Sequence, residues 1–118
     1  MEDLIKEMNE DIIRTIDTAD KIRKHKSALK LCENYLNVLQ YTPNEDLAYE
    51  ANQYATEIYN DIMGKEPEIA IENTCFFPHN VDIVTGAKDN LRAVIKMLKE
   101  VLVKETKEET ENIHNTIN

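Results

Sequence analysis

Met8, Thr15, Ile22, Leu29 and Leu36 stand seven residues apart, accompanied first by Ile5, Ile12 and Ala19 and later by Cys32 and Leu39. Such spacing lines one face of a helix with apolar groups, and that face must be shielded against something. The second set changes heptad position between Ala19 and Lys26. Residues 3–40 therefore form either one helix that supercoils around its neighbours or two helices broken near "DTAD" (17–20), where Asp17 or Thr18 would cap the new start. One long helix is the expectation.

Two further helical patterns follow. "YTPNED" (41–46) predicts a helix start with Thr42 as N-cap, Pro43 at the first helical position and Glu45 three residues after the cap. Leu47, Ala51, Tyr54, Ala55, Ile58 and Ile62 give that helix one apolar face over 43–63, and Gly64 is placed to end it in a left-handed conformation. From about Asp82, with Asn80 or Asp82 as cap, Val84, Leu91, Val94, Ile95, Leu98 and Leu102 line a third helix. Glu105 and Glu109 then continue the same face, so this end should not be buried in the same way. Residues 104–118 are expected to be a polar tail that frays, projects or meets a second subunit.

Two glycines, three prolines and no tryptophan in 118 residues favour helices over a many-turned sheet. The predicted fold is all-α: a single domain over 1–118, an antiparallel bundle of three helices, or four if the first segment breaks, with an extended aromatic loop. That loop, from Lys65 to Val81, is longer than helix connections usually are. It holds "CFFPH", whose two rings would lose roughly 1.5–3 kcal/mol each by staying in water. Phe76 and Phe77 either plug the open end of the bundle or, with His79 and Asn80, recognise a partner.

The N-terminal segment carries acids where a secretory signal carries bases, and no run of 18 apolar residues occurs, which predicts a soluble cytoplasmic protein. Cys32 and Cys75 form no CxxC pair or dense disulfide pattern, so free thiols are expected. Net charge is −9, unevenly spread: between Leu31 and Ala87 ten acids face the single base Lys65, while "KIRKHKSALK" (21–30) is a basic cluster. That asymmetry favours self-association or a charged partner over indiscriminate duplex nucleic-acid binding.

Catalytic and metal motifs are missing. One Glu-x-x-His pair, Glu111 with His114, cannot make a carboxylate-bridged di-metal site, and the cysteines and histidines have no zinc spacing. Glu7 and Glu10 echo half of the magnesium motif of all-α nucleotide pyrophosphohydrolases, but Asp17 and Asp20 follow too soon to supply the rest. Helical RNases of defence and toxin systems need an Arg followed closely by His, and Arg14, Arg23 and Arg92 have none. No glycine-rich phosphate loop exists, and no metal or cofactor is expected.

Two charged surfaces remain. Asp46, Glu50, Gln53, Glu57 and Asp61 step by three and four along one face of the second helix, and Tyr49 and Tyr59 lie off its apolar seam. Solvated, this is an ordinary helical surface; engaged, it is a docking face for a protein partner, a basic one in particular. Lys21, Arg23, Lys24 and Lys26 form the opposite pole, suited to pairing with acids or to holding a nucleotide-like anion.

From "EDLAYEANQYATEIYNDIMGKEPEIAIE" (45–72) through "VDIVTGAKDNLRAVIKMLKEVL" (81–102), the order of an amphipathic helix ending in Ile-Met-Gly, an apolar loop and a glycine-containing start to a long Leu/Ile helix resembles helical accessory domains of prokaryotic defence-system proteins. The resemblance implies a prokaryotic or phage conflict setting and carries over no functional residue. The expected function is a non-enzymatic interaction or inhibitor module, a homo-oligomer, using Asp46, Glu50, Glu57, Asp61, Tyr49, Tyr59, Phe76, Phe77, His79 and Asn80. The alternatives are a protein that sequesters a nucleotide-like anion through Lys21, Arg23, Lys24 and Lys26, or a divergent enzyme of the helical RNase type.

Overall fold

The computed structural model describes the backbone of residues 2–73 and 82–117 and the side chains of residues 3–73 and 82–113. The fold is all-α, with helices α1 (Glu2–Tyr41), α2 (Glu45–Lys65), α3 (Pro67–Glu72) and α4 (Ile83–Ile117). The first segment is one unbroken helix. At a rise of about 1.5 Å per residue its 40 residues span about 60 Å, which accounts for the molecule's longest dimension of 63 Å.

Where the chain turns, local chemistry differs from expectation in two places. Asn44, not Thr42, caps α2: its side-chain oxygen accepts from the Leu47 amide at 3.1 Å, which leaves Pro43 outside the helix. Gly64 does not end α2, because the helix continues to Lys65, and no glycine among the described residues has a positive φ. Glu66 closes α2 through its amide on the Ile62 carbonyl and opens α3, with Pro67 in the first helical turn. The fourth helix thus arises inside the long connection rather than from a break in α1. Asp82 caps α4, taking the Thr85 amide at 3.0 Å and the Thr85 hydroxyl at 2.8 Å, and these bonds hold its carboxyl below the usual range.

Helices α1 and α4 run antiparallel in a register fixed by two polar contacts: Asn112 donates to Thr18 at 3.3 Å, and His25 meets Glu105 at 2.8 Å. Residues 18–41 of α1 pack against both α2 and α4 and form, with them, what we call the body. Its core holds Leu39, Ile62, Leu91, Val94, Met97 and Leu98, each almost wholly removed from water and worth about 1.5–3 kcal/mol. Ala48, Ala51 and Ala55 of α2 and Ala87 of α4 are buried with them, and small side chains let helix axes approach closely. Tyr35 of α1 and Tyr54 of α2 tilt together with ring centroids 6.0 Å apart. Burial, then the charge of Glu33, pushes the Cys32 thiol up to about 12, so it packs as an inert apolar group.

The register also shows where α1 outruns its neighbours. Residue 13 is level with residue 117, so residues 2–12 extend beyond the end of α4. Helix α2 ends at Lys65, four residues past Asp61, which sits near His25. Residues 2–17 are therefore an arm, accompanied at most by the last turns of α4. The radius of gyration, 17.9 Å, exceeds the roughly 13–14 Å of a compact chain this long. No helix among the described residues is long and apolar enough to cross a membrane.

Candidate functional site

The acidic face expected on α2 is only partly available. Asp46, Glu50 and Glu57 are exposed and Tyr49 is 60 % exposed. Asp61 is drawn inward instead: Lys65 holds it at 3.1 Å, and His25 Nε2 lies 3.8 Å away. Burial pushes the Asp61 carboxyl up, but the Lys65 contact and the charges of Lys24 and His25 outweigh it and hold the group below its usual range. Tyr59 is half-buried against the core. Phe76, Phe77, His79 and Asn80 lie outside the described residues.

Tyr49, Gln53 and Glu57 share an open groove of about 540 Å³ with Asn52, Thr56 and, from α4, Ile83. Asn90 donates to the Asn52 side-chain oxygen at 3.2 Å, while the buried Asn52 Nδ2 has no hydrogen-bond partner among the described residues. Lys21, Arg23, Lys24 and Lys26 are all exposed on α1. Arg23 is engaged by Asp20 and Lys24 acts on Asp61, so the four do not present a single unengaged charge cluster.

Two features were missed by sequence reasoning. The first is the buried contact of His25, 4 % exposed, with Glu105, 7 % exposed. A carboxylate can only accept, so Nδ1 carries the proton in this bond. Nε2 is buried without a hydrogen-bond partner among the described residues. Glu105, expected to stay at the surface, is buried because His25 meets it. The spacing that shows this was present: Thr18, His25, Cys32 and Leu39 form one heptad row beside Ile22, Leu29 and Leu36. Counting only apolar residues hides a seam position occupied by a polar one. The ring thus fastens α1 to α4.

The second is the arm. Leu4, Ile5, Met8, Ile12, Ile13 and Ile16 are 45–60 % exposed. On the same segment Asp11 and Thr15 are half-buried and Thr18 is buried. Thr18 meets Asn112 of α4 and Asp11 is shielded by its own Arg14, and the stripe Ile5, Met8, Ile12, Ile16 lies about a quarter of a turn away around the helix from them. Six large side chains left roughly half exposed withhold on the order of 5–9 kcal/mol that a covering surface would recover. That is comparable to the whole stability of an average domain, so the arm is the outstanding unsatisfied feature of the molecule. Ile113 of α4, 43 % exposed, stands at the level of the same segment. No family model, no curated protein and no solved structure matches this chain.

Proposed function

We propose that this chain is a non-enzymatic helical protein-interaction module whose principal contact element is the arm of α1. The carrying observation is the exposure of that segment: Leu4, Ile5, Met8, Ile12, Ile13 and Ile16 are 45–60 % exposed, whereas the heptad row of the body is buried. Large aliphatic side chains gathered on one segment and left in water favour a covering surface. The reading of the whole chain as an antiparallel three-helix bundle with an aromatic connector belongs with this proposal, since it leaves both the arm and the α2 face available. An inhibitor role in prokaryotic or phage conflict rests on the resemblance of residues 45–72 and 81–102 alone.

The acidic face of α2 is a second contact, favoured by the groove that Tyr49, Gln53 and Glu57 share with Asn52, whose Nδ2 has no hydrogen-bond partner among the described residues. A partner supplying a basic side chain beside a hydrogen-bond acceptor would fit it. Anion sequestration gains less support, because Arg23 and Lys24 are already engaged by carboxylates. A helical RNase gains less still, because His25 is buried.

A photo-reactive amino acid in place of Ile12, introduced into the full chain in its own host, tests the reading. Cross-linking to protein is expected at position 12 and much less at position 38, where Val38 has the same 45 % exposure in the body. Equal, weak labelling at both positions would remove the arm from consideration as a contact element.

A further inference from the structure

We draw no further inference here: the strongest candidate, the exposed aliphatic face of the α1 arm at Ile5, Met8, Ile12 and Ile16, carries nothing beyond the contact role already proposed for it, because nothing in the structure shows what covers it.

Discussion

The two halves of α1 carry the same kind of apolar periodicity and meet opposite fates. In residues 18–41 the heptad row is buried, although two of its members are Thr18 and His25. In residues 2–17 the aliphatic stripe is exposed, although it holds larger apolar side chains than much of the buried row. Periodicity therefore identifies a face but not what covers it. What distinguishes the halves is the availability of neighbours: α2 and α4 both accompany the body, whereas α2 stops before the arm and α4 ends level with residue 13. The seam that α4 covers and the stripe it leaves open lie on different sides of one helix.

The largest expected effect concerns the polar member of the buried row. His25→Leu should destabilise the body by about 3–5 kcal/mol, because Glu105 would be left buried without its hydrogen-bond partner. Replacing both, His25→Leu with Glu105→Leu, should recover most of that loss, since well-packed apolar groups often match a buried polar pair. Chemical denaturation of the two variants and their parent measures this. If the single change were as mild as a surface substitution, His25 would not be fastening α1 to α4, and the body would differ from the arm only in apolar packing.

Next in size is the apolar comparison itself. Leu39→Ala in the body, where the side chain is 1 % exposed, should cost about 2–5 kcal/mol through lost transfer energy and the cavity left behind. Denaturant midpoints with unchanged slopes would establish it.

Much of this fold was legible in the sequence because most of its apolar residues repeat at helical spacing. The unbroken α1, the apolar faces built on Ala51, Ala55 and Ile62 and on Leu91, Val94 and Leu98, and the Asp82 cap all follow from local rules. The capping detail before α2 was misread because Thr42 and Asn44 both can cap, and only the backbone conformation selects Asn44. Helix α3 was read as loop because six residues are too few for periodicity to declare itself. It is held by tertiary contacts instead: the Asn73 amide reaches Glu100 Oε2 at 3.0 Å, and Lys104 meets Glu66 at 2.6 Å. The site was less legible. Stripe membership of Ile5, Met8 and Ile12 was visible, but exposure depends on where α2 and α4 end, which is a property of the assembled chain.

The smallest effect sharpens the comparison most. Ile16→Ala removes nearly the same apolar atoms as Leu39→Ala, from a residue 54 % exposed. In dilute monomer the change should stay within about 0.5 kcal/mol of neutral, and its sign should be favourable. Alanine is the better helix former by a few tenths of a kcal/mol, because it loses no side-chain freedom in the helix, and little packing is lost in exchange. Thermal unfolding of the variant and its parent in dilute solution reads the difference. A cost as large as that of Leu39→Ala would mean that the arm is packed within its own chain as the body is, and the contrast between the two halves of α1 would be lost.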